Sequence, residues 1–303
     1  MRLRNVAAAA AAAVVTLAGC GTAADDAAPG TATHSPGGHF PVTVNGVTVD
    51  DEPARIISLA PTATEMLFAI GAGNQVVAVD EYSNFPETAP TSELSGFNPN
   101  IEAVAGYDPD LVVLSSFGDS LVPQLDALSI PAFITADDPA DLDDVYQQIL
   151  DLGELTGRTD EAPALVERMT SEIAKTTAEA PERETPLTYY IEIDDTYWTY
   201  TPNSIIGSLF RQAGLENIAE DESTAATQLS AEAIIEANPD VIFLINTDFG
   251  VTAQTVAQRP GWAEIAAVRA GNIVELDPDM ASRWGPRLPD LLAHVVAATA
   301  NLP

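Results

Sequence analysis

One pattern of this 303-residue chain occurs twice, at positions that differ by 130 residues (101 and 231). The first copy reads Ile-Glu-Ala-Val from residue 101 and Pro-Asp-Leu-Val-Val-Leu from residue 109. The second reads Ala-Glu-Ala-Ile from residue 231 and Pro-Asp-Val-Ile-Phe-Leu from residue 239, with the same spacing. Each copy has the pattern of a helix, a Pro-Asp turn and a buried strand. The repeat therefore predicts two similar lobes, an arrangement suited to holding a small ligand in a cleft between them.

Short apolar strands alternate with helices in both halves of the chain. In the N-terminal half, strands are predicted at residues 55–59, 76–79, 111–114 and 132–134, and the alternation returns from residue 187 onwards. Continuous apolar strands joined by helices form parallel sheets that helices cover on both faces. We therefore predict an α/β fold with two similar Rossmann-like lobes, mainly parallel sheets and a ligand cleft between the lobes.

The segment between the two halves has a helical pattern and no strand pattern. Ala162, Leu165, Met169 and Ile173 are spaced as one face of a helix. A helix over residues 160–181 would be roughly 30 Å long. We predict that it joins the lobes as one long, rigid backbone helix; a long surface helix is the alternative. Earlier in the chain, Thr62 and Glu65 have the spacing of a capping box at the start of a helix over residues 63–70.

The N-terminus has the features of a bacterial export signal. Arg2 and Arg4 precede an apolar run over residues 6–18, which is shorter than the roughly 20 residues of a membrane-spanning helix. The run ends at Gly19 and Cys20, and Cys20 is the only cysteine. This pattern is typical of a lipobox, in which the cysteine is acylated and becomes the mature N-terminus; an ordinary signal peptide with a chance cysteine is the alternative. The predicted organisation is a signal peptide (1–19), a lipid-anchored flexible tether (20–52), an N-terminal lobe (53–138), a helical linker (139–185) and a C-terminal lobe (186–303).

Charge and motif content exclude several functions. The formal net charge is −33, which argues against a nucleic-acid partner because such proteins need basic patches. The sequence has no Gly-x-Ser-x-Gly, no His-Glu-x-x-His and no phosphate-binding glycine loop. The neighbouring acids Asp194 and Asp195 would point to opposite faces of an extended segment. We therefore expect that the protein is not an enzyme.

Capture of a bare metal ion is disfavoured because His294 is the only histidine outside the predicted tether. We expect no metal site and no cofactor.

The chain from about residue 55 to residue 299 resembles the substrate-binding proteins of ABC importers for iron-siderophores, haem and vitamin B12. The motifs that carry the resemblance lie at residues 55–65, 100–112, 203–207, 229–240, 260–262 and 270–274. No single motif is decisive, but their order and spacing together are specific.

The resemblance implies that Glu102 and Glu232 dock onto arginines of the two permease halves. Both glutamates are expected in the first turn of a helix, with Asn100 and Ser230 as N-caps. Acidic residues are also favoured at that position by the helix dipole alone. Matching acids on two similar lobes fit a permease with two-fold symmetry.

The ligand residues implied by the resemblance lie in loops that follow strands. They are Tyr82, Phe97, Phe117, Tyr197, Trp198, Tyr200, Arg283 and Trp284. Aromatic rings offer flat apolar contact to a chelate or macrocycle, and Arg283 would pair with an anionic group. Tyr189 and Tyr190 are interpreted as plain strand residues.

Together these features predict an exported binding lipoprotein on the outer face of the cytoplasmic membrane, and the resemblance implies that it is a monomer. It would capture a ferric-siderophore-type iron chelate and deliver it to an ABC permease. Vitamin B12, another corrinoid or haem are the alternatives within this class. A cell-surface sensing or adhesion module is the alternative of another class.

Overall fold

The computed structural model describes residues 40–219 and 224–302, all within one compact unit. The predicted signal peptide, the lipidation site at Cys20 and most of the predicted tether lie outside these residues. The described chain begins with an antiparallel hairpin of β1 (Val42–Val44) and β2 (Val47–Val49). Among the described residues, no helix combines the length and apolar character needed to span a bilayer.

The N-terminal lobe is built on a four-stranded parallel sheet. Its strands are β3 (Ile56–Leu59), β4 (Val76–Val79), β5 (Leu111–Leu114) and β6 (Ala132–Ile134), in the spatial order β4-β3-β5-β6. Its helices are α1 (Pro61–Ala69), α2 (Ile101–Ala105) and α3 (Val122–Ala127).

Two helices connect the lobes. Helix α4 (Leu142–Thr156) packs against α1 and β1, and α5 (Glu161–Glu179) packs against α4 and against the last helix of the chain. Gly157 separates the two helices with φ of 71°, a conformation that favours glycine. The predicted helical face is confirmed, because Ala162, Leu165, Met169 and Ile173 are the buried residues of α5.

The C-terminal lobe repeats the architecture of the first. Its parallel sheet contains β7 (Leu187–Glu192), β9 (Leu215–Asn217), β11 (Val241–Leu244) and β12 (Ile273–Glu275), in the order β9-β7-β11-β12. A second, antiparallel pair consists of β8 (Trp198–Tyr200) and β10 (Ala226–Gln228). The helices are α6 (Ile205–Gln212), α7 (Ala231–Ala237), α8 (Ala253–Ala257), α9 (Ala266–Ala270), α10 (Pro278–Ala281) and α11 (Leu288–Thr299).

The order of the strands is therefore the same in both lobes, and the predicted fold of two similar α/β lobes is confirmed. In each main sheet the first strand of the lobe lies between the second and the third, and the fourth lies at the edge next to the third.

Each main sheet has a core on both of its faces, because alternating residues of the third strand face opposite sides. Val113 and Phe243 join a core that also includes α5 and α11, whereas Val112 and Ile242 belong to separate cores on the other faces.

The Pro-Asp turns of the repeat have the same role in both lobes. Asp110 accepts hydrogen bonds from the backbone N–H groups of Ala54 and Arg55, each at 2.9 Å, just before β3. Asp240 accepts hydrogen bonds from the backbone N–H and the hydroxyl of Thr188 in β7, each at 2.9 Å. Each aspartate thus ties the start of the third strand to the first strand of its lobe, which explains why this dipeptide occurs twice.

Two local predictions are wrong. The tether was predicted to include residues up to 52, but residues 42–49 form the β1–β2 hairpin, whose Val44 and Val49 are buried. Its turn is Asn45-Gly46, and both residues have positive φ, as a two-residue hairpin turn requires. The capping box is also absent: α1 starts after Ala60 without a side-chain cap, because Pro61 occupies its first position and Glu65 is buried elsewhere.

Candidate ligand-binding site

A pocket of about 540 Å³ lies where the strands of the N-terminal sheet end. On this side the lining residues lie at or after the ends of all four strands: 59–62 at the end of β3, 80, 82, 96 and 97 after β4, 115 and 117 after β5, and 135–137 after β6. The other wall comes from the segment at 279–284, which follows the last strand of the C-terminal lobe. In open α/β sheets, ligands bind outside the carboxyl ends of the strands. The pocket is therefore in the position that the fold class favours.

Three aromatic side chains form an exposed cluster in this pocket. Tyr82, Phe97 and Phe117 are 55%, 60% and 61% exposed. The ring centroids of Tyr82 and Phe97 are 5.7 Å apart, and those of Phe97 and Phe117 are 5.2 Å apart. Trp284 lines the pocket from the C-terminal segment, and its indole N–H donates to the Ala136 carbonyl at 3.3 Å. The ring planes are inclined to one another, by 79° for Tyr82 and Phe97 and by 56° for Phe97 and Phe117. Together the rings offer an exposed apolar surface, made of ring faces and edges, to a ligand.

Arg283 lines the same pocket, but its guanidinium is held by the protein. Nη1 donates to Glu65 Oε1 at 3.1 Å and to Asn84 Oδ1 at 2.8 Å. Nη2 donates to the Tyr82 carbonyl at 3.0 Å and to Asp279 Oδ1 at 2.6 Å. Arg283 is also buried. Its positive charge is therefore compensated within the protein, which weakens the expectation that it pairs with an anionic ligand.

Glu65 binds a second arginine next to the pocket. Arg287 donates from Nε to Oε2 at 2.8 Å and from Nη2 to Oε1 at 2.6 Å, and its guanidinium carbon lies 4.5 Å from the centre of the Phe85 ring. Burial alone would lower the pKa of Arg287, but the hydrogen bonds and charge of Glu65 outweigh burial, so its pKa lies above the ordinary value. This network fixes the segment at 283–287 against helix α1.

Asp80 is a buried carboxylate in the wall of the pocket. It accepts hydrogen bonds from the Tyr82 backbone N–H at 2.8 Å and from the Ser83 hydroxyl at 2.7 Å. Burial raises the pKa of Asp80, and these hydrogen bonds offset part of the rise. Within the described part of the chain no basic side chain forms an ion pair with it.

The other three predicted ligand residues do not line this pocket. Tyr197 packs against Trp262, with ring centroids 5.8 Å apart. Trp198 is 40% exposed on β8. Tyr200 packs against the core, and burial raises the pKa of its phenol to about 12. A contact of these three residues with a ligand stays a prediction.

A smaller pocket of about 240 Å³ lies at the corresponding strand ends of the C-terminal lobe. It is lined by Asp194 and Asp195 after β7, and by Asn246, Phe249 and Val251 after β11. Phe249 is 87% exposed and was missed at the sequence level. The repeat contained a signal for it, because Phe117 and Phe249 both lie in a 3₁₀ helix that follows the third strand of a lobe.

An ion pair lies next to this second pocket. Glu192, at the end of β7, is buried and binds Arg259 Nη2 at 2.7 Å and Asn246 Nδ2 at 2.9 Å. The guanidinium of Arg259 also lies over the ring of Trp262, 4.6 Å from its centre. Burial alone would lower the pKa of Arg259, but Glu192 raises it above the ordinary value. Arg259, like Arg283, is thus engaged by an internal carboxylate.

Glu102 and Glu232 occupy matching positions, as the repeat predicts. Asn100 caps α2 by accepting from the Ala103 N–H at 2.9 Å, and Ser230 caps α7 by accepting from the Ala233 N–H at 3.1 Å. Both glutamates lie in the first turn of their helix and both are exposed. His294 is an exposed residue of α11.

The fold and the pocket at the strand ends define a two-lobed solute-binding protein. A family model described as periplasmic binding protein matches residues 56–280. An uncharacterized ABC transporter substrate-binding lipoprotein of Bacillus subtilis, YvrC, is 34% identical, and the match covers 91% of this chain and 90% of that protein. A cobalamin-binding protein of Halobacterium salinarum is 30% identical over 86% of this chain and 75% of its own length. The structure of the haem-binding protein RhuT from Roseiflexus, at 26% identity, matches with a TM-score of 0.70 over 81% of this chain and 99% of RhuT.

The chain belongs to the periplasmic binding protein family. The family match and the Bacillus relative, named as an ABC transporter substrate-binding lipoprotein, confirm the predicted class, which is one of binding proteins and not of enzymes. Membership also implies an extracytoplasmic location, a small-molecule ligand and a permease partner.

Proposed function

We propose that this protein captures a cobalamin-type corrinoid and delivers it to an ABC importer. The observation that carries the proposal is the cluster of Tyr82, Phe97 and Phe117 in a pocket whose other wall holds Trp284. Aromatic faces suit a large flat macrocycle, because they provide apolar contact without immobilising long side chains. The cobalamin-binding relative, which matches most of this chain, supports the same ligand class.

A ferric siderophore, the ligand favoured by the sequence, is the second candidate. Its main support was a free charge on Arg283, and that guanidinium already binds Glu65 and Asp279. A siderophore without net negative charge would still fit an aromatic pocket. Haem would add two propionates to a site whose arginine is engaged, so we rank it below both.

Delivery would use the two matching glutamates on the lobes. Glu102 and Glu232 are exposed, each in the first turn of a capped helix. A pair of exposed acids on equivalent elements suits a permease with two equivalent halves, and complementary charge favours rapid and oriented docking. Lipid attachment at Cys20 would hold the protein on the outer face of the membrane, where a monomer meets its permease.

Equilibrium dialysis against a panel of ligands tests the proposal. The chain from residue 21 to 303 would be dialysed against cyanocobalamin, haem, free Fe³⁺, and hydroxamate, catecholate and carboxylate ferric siderophores. We expect saturable binding of cyanocobalamin at one ligand per protein, and weaker or no binding of the others. Preference for one siderophore would replace the corrinoid by the second candidate, and saturable binding of haem alone would contradict both.

A further inference from the structure

The charges that line the pocket are unusual for a site that was expected to bind an anionic chelate. Its charged lining residues are Asp80, Asp137, Asp279 and Arg283. Three carboxylates thus accompany one guanidinium, and that guanidinium also binds Glu65 outside the lining. The wall of the pocket has an excess of negative charge and, within the described residues, no basic group that is free to bind an anion.

The hydrogen bonds of two of these carboxylates show that they are fixed parts of the wall. Asp137 accepts from the Ser116 backbone N–H at 2.8 Å and from the Ser116 hydroxyl. Asp279 Oδ1 binds Arg283 at 2.6 Å and Oδ2 accepts from Asn84 Nδ2 at 2.7 Å. Both side chains are partly exposed. Asp137 therefore presents its charge to a ligand without having to move, and Asp279 neutralises Arg283, the guanidinium in the lining.

The pocket of the C-terminal lobe has the same sign. Asp194 and Asp195 are its charged lining residues. The nearby cation, Arg259, is engaged by Glu192. The strand ends of both lobes therefore repel anions and attract cations and hydrogen-bond donors, because like charges brought together at an interface are unfavourable.

We infer that Asp137 and Asp279 are specificity-determining residues, which make the site select ligands whose rim carries N–H donors and no net negative charge. This inference rests on the proposed function. It narrows the ligand of the protein to an amidated corrinoid, whose primary amides donate hydrogen bonds to carboxylates. The same macrocycle with free carboxylates on its rim is rejected.

The test compares two corrinoids that differ at the rim. Isothermal titration of the chain from residue 21 to 303 would use cobinamide and cobyrinic acid. Both lack the nucleotide loop of cobalamin, and the side-chain amides of cobinamide are carboxylates in cobyrinic acid. We expect the amidated compound to bind at least about 100-fold more tightly. Asp137→Asn and Asp279→Asn should each reduce this ratio several-fold, mainly by improving the binding of cobyrinic acid. Glu167→Gln removes a charge from the exposed side of α5 and should leave the ratio unchanged.

Each outcome bears on the inference. Equal affinities for the two corrinoids, or a ratio unchanged in both aspartate variants, would overturn the inference while leaving the proposed function in place. If neither corrinoid binds, the proposed function fails, and the charge rule is then tested with cationic ferrioxamine B and anionic ferric enterobactin. Preference for the cation would support the rule. Preference for the anion, or no binding of either, would overturn it.

Discussion

Arg287 binds Glu65 side-on, with Nε and Nη2 at 2.8 and 2.6 Å from the two carboxylate oxygens. Glu65 belongs to the first helix of the N-terminal lobe, and Arg287 directly precedes the last helix of the C-terminal lobe. The pair therefore ties the two lobes together beside the ligand pocket. Glu65 is buried, and such a bidentate, charge-assisted arrangement is among the stronger polar contacts.

Replacing Glu65 should destabilise the protein. Glu65→Gln leaves the guanidinium groups of Arg283 and Arg287 close together without their shared carboxylate, and breaking a buried ion pair costs about 3–5 kcal/mol. We expect a loss of about 3 kcal/mol in the free energy of unfolding, measured by urea denaturation followed by circular dichroism. Glu264→Gln, at an exposed position, is the control. A midpoint for Glu65→Gln equal to that of the control would show that the network contributes little.

The two Pro-Asp turns should contribute similarly and independently. Hydrogen bonds to charged groups contribute about 1.5–3 kcal/mol to stability. Because these two sites are not fully buried, Asp110→Asn and Asp240→Asn should each lower the free energy of unfolding by about 1–2 kcal/mol. Because the two sites lie on different sheets, the effects should add in the double variant. Urea denaturation of the single and double variants measures the loss in the free energy of unfolding and shows whether the two losses add.

The matched control for these turns is Asp108→Asn. Asp108 has φ of 51°, and the equivalent position in the second copy is Asn238, with φ of 48°. Asparagine tolerates this conformation, so the control should have wild-type stability. If Asp108→Asn lowers the free energy of unfolding as much as Asp110→Asn does, the stabilisation does not come from the carboxylate of Asp110.

Gly207 should not tolerate a methyl group. A Cβ atom there would lie 2.1 Å from the Thr201 carbonyl oxygen and 3.0 Å from Pro202 backbone atoms, which cannot move aside as a flexible side chain would. We expect Gly207→Ala to cost about 2–3 kcal/mol or to prevent folding. Gly285→Ala, where the nearest atoms are 3.7 Å away, is the control. Thermal unfolding curves that coincide for Gly207→Ala and wild type would contradict the steric argument.

Charge reversal at the docking residues should separate transport from binding. Glu102→Lys combined with Glu232→Lys should leave ligand affinity intact and abolish uptake, because repulsion would replace attraction at the permease. Uptake of labelled ligand by cells that carry the variant in place of the wild-type gene measures the effect. Glu167→Lys, at an exposed position of α5, should transport normally. Unimpaired uptake in the double variant would refute the docking role.

The sequence predicted the architecture well because the relevant signals are local. Apolar runs located the strands at residues 76–79, 111–114 and 132–134 as the structure has them. Asn100 and Ser230 were predicted as the N-caps of the two repeated helices, and both are confirmed. The turn at Asn45-Gly46 was readable too, but the surrounding low-complexity composition hid it.

The parts that could not be predicted depend on contacts between distant residues. Glu65 has the spacing of a helix cap, and only the folded chain shows that Arg283 and Arg287, more than 200 positions later, bind it. The same contacts compensate the charge of Arg283. For this reason a corrinoid replaces the ferric siderophore as the preferred ligand. Tyr197 was grouped with the ligand aromatics, but its ring packs on Trp262, a residue 65 positions later in the sequence.

Binding of cyanocobalamin should be measured by isothermal titration with wild type and with the Phe97→Ala, Phe117→Ala double variant, because it tests the proposed ligand and the proposed site together. We expect one site per chain with a dissociation constant of about 1 µM or lower, and a loss of at least about ten-fold in the double variant. Leu128→Ala, another exposed apolar residue that does not line the pocket, should bind as wild type does. Absence of binding would contradict the proposed function, and binding that the double variant leaves unchanged would contradict the proposed site.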